Sequence, residues 1–87
     1  MTIKEFQQVI RVKYEHRDRE RGTPATFLWF IEEVGELATA LASHDHNNKI
    51  EEFGDVFAWL CTLANINDVD LQEAVKKYCD EGHLGYK

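Results

Sequence analysis

One heptapeptide pattern occurs twice in this chain. Residues 31–37 read Ile-Glu-Glu-Val-Gly-Glu-Leu, and residues 50–56 read Ile-Glu-Glu-Phe-Gly-Asp-Val. Both copies sit in stretches whose apolar residues recur at three- and four-residue steps, the period of an amphipathic helix and not of a strand. Between the two stretches lies the polar segment 43–48, which reads as a loop. Two helices joined by so short a connection pack antiparallel. The repeat therefore calls for a helical hairpin carrying the same acidic pattern on both arms.

The rest of the chain extends that hairpin into an all-α antiparallel bundle of about four helices, one domain over residues 1–87. Pro24 is the only proline, and no stretch sustains period-2 alternation. The first helix is expected from about Thr2 to Arg19, with Ile3, Phe6, Val9, Ile10 and Tyr14 as its apolar stripe, and Gly22 ends it. Thr23 serves as N-cap of the second helix, with Pro24 at its first position. That helix runs to about Ser43 with Phe27, Phe30, Ile31, Val34, Leu37, Ala38 and Leu41 as its core face. The third, about Lys49 to Ile66, buries Ile50, Phe53, Val56, Phe57, Leu60 and Ala64. After a turn at 65–68, Asp70 and Glu73 make a capping-box-like start to a short fourth helix reaching about Tyr78. The tail from Asp80 is expected to be loose. A chain of 87 residues buries only about 60–65% of its unfolded surface, so a second copy is expected to complete the core.

Within each repeat two carboxylates stand three residues apart, Glu33 with Glu36 and Glu52 with Asp55. On a helix that spacing places both on one face, one turn apart. Two such pairs on antiparallel helices present four carboxylates to one point, the oxygen-rich donor set that magnesium prefers. A solvated acidic face is the commoner fate of an ExxE pattern, but three features speak against it. Trp29 lies one turn before Glu33, while Trp59, Leu63 and Ile66 follow Asp55 on the same ridge. No Lys or Arg stands three or four residues from Glu33, Glu36 or Asp55, and only Lys49 stands within a turn of Glu52. Crowded carboxylates without partners need a proton or a cation. Gly35 and Gly54 interrupt the two helices at about 1 kcal/mol each against alanine, which points to something approaching closely there. Glu32, one turn before Glu36, is a candidate ligand, orienter or general base, whereas Glu51 is read as solvated.

Charge distribution adds to this. The net charge of −6 disfavours a duplex nucleic-acid partner. Between Gly22 and Val75 there is one basic residue, Lys49, against ten acidic ones, with the basic residues gathered at 4–21 and 76–87. An acidic middle between basic ends suits a metal site flanked by phosphate-binding groups. Arg17, Arg19, Arg21, Lys76 and Lys77 are the candidates, and Trp29 and Trp59 are candidates for stacking on a base or for core. No run approaches the ~20 apolar residues of a membrane span, and no signal peptide or disulfide framework is visible, so a cytoplasmic location is expected. His16, His44, His46 and His83 form no Glu-x-x-His motif. Cys61 lies in a core-like run and is not expected to be a nucleophile.

These residues resemble a known family. Glu32-Glu33-x-x-Glu36 followed by Glu52-x-x-Asp55 is similar to the paired motif of MazG-type nucleotide pyrophosphohydrolases, within the all-α pyrophosphohydrolase superfamily. Residues 26–41 and 51–78 share the likeness, and RDRERG (17–22) resembles the upstream segment of short members. The resemblance implies a helical bundle assembled as a homodimer or homotetramer. It also implies Mg²⁺-dependent cleavage of a nucleoside triphosphate to monophosphate and pyrophosphate, with Mn²⁺ as a substitute metal and nucleotide-pool house-cleaning as a role. By position, Glu33, Glu36, Glu52 and Asp55 become metal ligands, Glu32 or Glu36 handles the attacking water, and Lys77 and Tyr78 match a pair near the end of short relatives. Two departures stand out. Relatives with that pair often continue into a Cys-containing tail, where this sequence reads CDEGHLGYK, and Gly54 stands where alanine is more usual. Phosphoribosyl-ATP pyrophosphohydrolase and dUTPase- or dCTPase-like activities share the superfamily. A helical interaction module without catalysis is the alternative from another class, distinguished by a lack of thermal stabilisation by Mg²⁺.

Overall fold

The computed structural model describes residues 1–79, so the expected loose tail from Asp80 lies outside the described residues. Thr2 starts the first helix, α1 (Ile3–Arg21). Its hydroxyl accepts from the Glu5 backbone N–H at 3.0 Å, and the Glu5 carboxylate accepts from the Thr2 N–H at 2.8 Å. This reciprocal box satisfies two donors that a helix start otherwise leaves open. Gly22, at φ 81°, ends α1 in a conformation that a side chain would strain. It also caps α2 (Thr23–Leu41), so the cap falls one residue earlier than expected. Thr23 is already helical, and its hydroxyl accepts instead from Asn67 at 3.2 Å.

The third helix, α3 (His46–Ile66), begins three residues before the expected start because Asp45 caps it, accepting from the Asn48 N–H at 3.1 Å. Asp70 accepts from the backbone of Gln72 and Glu73 and opens α4 (Leu71–Ala74). Beyond Val75 the chain tightens into a 3-10 turn over Lys76–Tyr78, where one continuous helix was expected. The described residues contain no strand. The fold is all-α, as the periodicity requires.

The α2–α3 hairpin packs along its length, and α1 lies across α3. A buried amide knot holds that crossing. Gln7 donates to the Asn65 side-chain oxygen Oδ1 (2.9 Å) and to Val69 O (2.8 Å), and accepts from the Leu71 N–H (2.9 Å). Asn65, fully buried, returns a hydrogen bond to Gln7 O at 3.3 Å. Arg19 covers the end of α3, donating to Asn65 O, Ile66 O and Asp68. Removing one amide orphans the other inside the protein. Asn65→Ala should therefore cost about 2–3 kcal/mol in urea unfolding, whereas Arg11→Ala, whose bond to Asn65 is 3.4 Å long, should cost under about 1 kcal/mol.

The apolar core of the single chain is small: among the described residues, Ile10, Ala40, Cys61 and Ala64 are the buried apolar ones. This corrects the expected core faces. On α2 the inward residues are Thr26, Phe30, Glu33, Leu37 and Ala40, while Phe27, Ile31, Val34, Ala38 and Leu41 are exposed. On α3, Ala64 is buried as expected and Val56 is half-buried, but Ile50, Phe53, Phe57 and Leu60 are exposed, and Cys61, Thr62 and Asn65 are buried in their place. On α1, Ile10 is buried and Tyr14 is exposed. Each hairpin helix has two apolar faces, and one chain covers only one of them. Gly35 and Gly54 lie on the uncovered side, where a methyl group added to either would meet nothing within 4 Å. Among the described residues, therefore, nothing closely approaches either glycine. Among the described residues no helix is long and apolar enough to cross a membrane.

Candidate functional site

The hairpin register is marked by its two tryptophans. Trp29 of α2 stacks on Trp59 of α3, with ring centroids 6.1 Å apart and planes 7° from parallel. Four residues from each tryptophan, about 6 Å of helix rise, stand Glu33 and Asp55. Glu36 and Glu52 come one turn further. Glu33, Glu36 and Glu52 each bring a carboxylate oxygen to within 4.8 Å of the others. Asp55 is not one of this triad, but its charge reaches both Glu33 and Glu52.

The electrostatics follow from crowding. Burial pushes the Glu33 carboxyl up to about 7, helped by a proton shared with Glu36 and by the charges of Glu36, Asp55 and Glu52. Glu52 is raised too, first by burial and then by Glu36, Asp55 and Glu51. Glu33 Oε2 and Glu52 Oε2 are buried without a hydrogen-bond partner. Among the described residues no Lys or Arg pairs with any of the four carboxylates. Orphaned, half-buried carboxylate oxygens converging from two helices have the donor chemistry that suits a hard divalent cation.

The other sequence candidates fall in three places. Glu32 and Glu51 are exposed, to the side of the triad. Arg21 lies with its guanidinium carbon 5.0 Å from the Trp59 ring centroid, and with Arg17 it lines a cleft of about 280 Å³ between α1 and α3. Lys77 and Tyr78 lie in the 3-10 turn after α4, the Lys77 Nζ 5.1 Å from the Tyr78 ring. That turn follows α4, which packs on α1. Two expected phosphate contacts have other partners: Arg19 is committed to Glu15, Asp68 and the end of α3, and Lys76 pairs with Glu73 at 2.9 Å. Cys61 is fully buried, which pushes its thiol up to about 11, so it is no nucleophile. Asp18 and Thr26, both buried around Arg21, are residues that sequence reasoning missed. The available signal was the i, i+3 spacing of Asp18 and Arg21 at a helix end.

No curated protein compared with the chain matches it. The family described as MazG nucleotide pyrophosphohydrolase domain matches residues 21–81. That span holds α2, α3 and α4, both carboxylate pairs and both tryptophans, and it begins at the last residue of α1. With the whole acidic hairpin and more than half of the chain inside the match, this protein belongs to the MazG nucleotide pyrophosphohydrolase domain family.

Proposed function

We propose that the chain hydrolyses ribo- or deoxynucleoside triphosphates to the monophosphate and pyrophosphate, with Mg²⁺ held by Glu33, Glu36, Glu52 and Asp55. The observation that carries this reading is the convergence of three carboxylate oxygens within 4.8 Å with no basic partner, inside a matched family domain. Two of these groups resist ionising on their own. Such a cluster is stable at neutral pH only with a proton or a cation in its midst. Bound Mg²⁺ supplies neutralisation of phosphate charge and a more acidic water, and Mn²⁺ is the expected replacement.

The chain's own residues would then divide the work. Glu33 and Glu52, half-buried on facing helices, would hold the cation against which the substrate phosphates dock. Glu36, more exposed, or Glu32 one turn before it, accepts the proton of the water that attacks the α-phosphorus. The bond between that phosphorus and its bridging oxygen breaks, and pyrophosphate leaves. Arg17 and Arg21 meet phosphate charge that the acidic hairpin would otherwise repel. Trp29, half-exposed at one end of the tryptophan stack, offers a face to the base. Lys77 and Tyr78 act in this reading only if a second copy brings them to the hairpin. The uncovered apolar faces of α2 and α3 support such an assembly.

The test is product analysis over a panel of nucleoside triphosphates. Pyrophosphate and monophosphate should appear in equal amounts with Mg²⁺, and chelation by EDTA should reduce release to background. Orthophosphate as the product, or no release from any nucleotide, would refute the proposal.

A further inference from the structure

Asp18 is 5% exposed, the one deeply buried charge on a helix otherwise lined with solvated ones. One of its oxygens accepts from Arg21 Nη2, and the other, Oδ2, is buried with no donor. Most buried carboxylate oxygens have a donor, so Oδ2 of Asp18 stands out. Arg21 is held from three helices at once. Asp18 of α1 takes Nη2, the fully buried Thr26 of α2 accepts from Nε at 3.0 Å, and the Trp59 ring centroid of α3 lies 5.0 Å from the guanidinium carbon. Nη1 has no hydrogen-bond partner among the described residues, and Arg21 lines the α1–α3 cleft together with Arg17, Tyr14, Trp59 and Thr62. Arg17 likewise has no ion-pair partner among the described residues, unlike Arg11 and Arg19, which pair with Glu15.

We infer that Asp18 is a positioning residue that sets the Arg21 guanidinium as a fork at the edge of this cleft, where the pyrophosphate half of the substrate docks. The inference rests on the proposed activity for the identity of the ligand. Its physical basis is local: a planar fork with pre-paid orientation, a second free guanidinium, a hydroxyl and an aromatic floor suit a polyanion. The cleft is also in the right place. Trp59, which lines the cleft, stands one helical turn, about 6 Å of rise, from Asp55 on the same helix. Asp18 lies outside the matched span, as does Arg17, so α1 supplies this part of the site.

Inorganic pyrophosphate titrated into the full chain in EDTA, followed by tryptophan emission, tests the cleft without turnover. Trp59 is the reporter, because Arg21 lies against it. The wild type should show a saturable change. Asp18→Asn, which keeps the shape and removes the charge, and Arg21→Lys, which keeps the charge and removes the fork, should each weaken apparent affinity about tenfold. In Mg²⁺-supported turnover Asp18→Asn should raise KM by about the same factor and leave kcat within about twofold, with its melting temperature recorded alongside. A silent wild-type titration overturns the inference, as does an Asp18→Asn variant that binds pyrophosphate like the wild type. A fall in kcat with KM unchanged would give Asp18 a purely structural role. Normal turnover with a silent titration would remove the cleft and leave the proposed activity standing. Saturable, Asp18-dependent binding without any turnover would do the reverse.

Discussion

Glu36→Gln should lower kcat/KM by about 10³-fold or more, a loss of about 4 kcal/mol in transition-state stabilisation, while raising the melting temperature of the metal-free protein. The two effects have one cause. Glu36 contributes charge to a cluster that already pushes Glu33 and Glu52 upward, so neutralising it relieves repulsion in the apo fold. The same change removes an oxygen donor that a divalent cation needs. An apo gain of about 2–6 °C beside lost turnover would separate a functional cluster from a decorative one, because a merely structural carboxylate would lower both. Thermal stabilisation by millimolar Mg²⁺, present in the wild type, should shrink in the variant.

The pH dependence of that experiment has a definite sign. Glu33 binds its proton more tightly folded than unfolded, its pKa rising from 4.5 to about 7. The stability it contributes is complete below about pH 4.5 and is lost as pH rises through about 7. After allowance for solvent screening this is on the order of 1 kcal/mol. Metal-free wild type should therefore melt lower at pH 7.5 than at pH 5, by more than Glu33→Gln does. With Mg²⁺ the order changes, because ligands must be deprotonated to bind: the gain on adding metal should be larger at pH 7.5.

Much of this was legible in the sequence, and what was not has physical reasons. The repeat with its 3.6-residue period gave the hairpin, and the i, i+3 carboxylates gave the triad, because helical spacing alone decides which side chains share a face. The tryptophans flanking the carboxylates were legible on the same ground. Helix starts were less so. Thr2 was legible as the start of α1, but Gly22 and Asp45 compete as caps with neighbours that suit the position as well, and only backbone geometry selects between them. The core face of α2 was misplaced because Phe27, Ile31 and Val34 form as regular a stripe as Phe30, Leu37 and Ala40 do. Periodicity identifies apolar faces but not which one a single chain covers. Asp18 and Thr26 escaped notice because their importance comes from Arg21, whose partners are set by three helices meeting.

Phe53→Glu should convert an assembled protein to monomers and lower its melting temperature by more than about 10 °C. Phe53 is 55% exposed in the single chain, one turn from Ile50 at 59%, and the facing helix α2 exposes Ile31 at 48% and Val34 at 38%. Fully covering one such side chain stabilises by about 1.5–3 kcal/mol, a large gain beside the four buried apolar residues found among the described residues. A contiguous patch of this kind is rarely left bare on a stable monomer, and a second copy carries the same apolar surface to match it. Sedimentation or light scattering should find the wild type as a dimer or tetramer and Phe53→Glu as a monomer; a wild type already monomeric at micromolar concentration would remove the assembly. Gly54 sharpens the test. In a lone helix Gly54→Ala stabilises by about 1 kcal/mol, and within the chain its methyl meets nothing. If a partner backbone approaches this face, the same methyl obstructs it, so Gly54→Ala should weaken association while leaving the monomer's helicity intact. Opposite signs for one methyl, in the isolated chain and in the assembly, would show why a glycine stands in the middle of an otherwise apolar helix face.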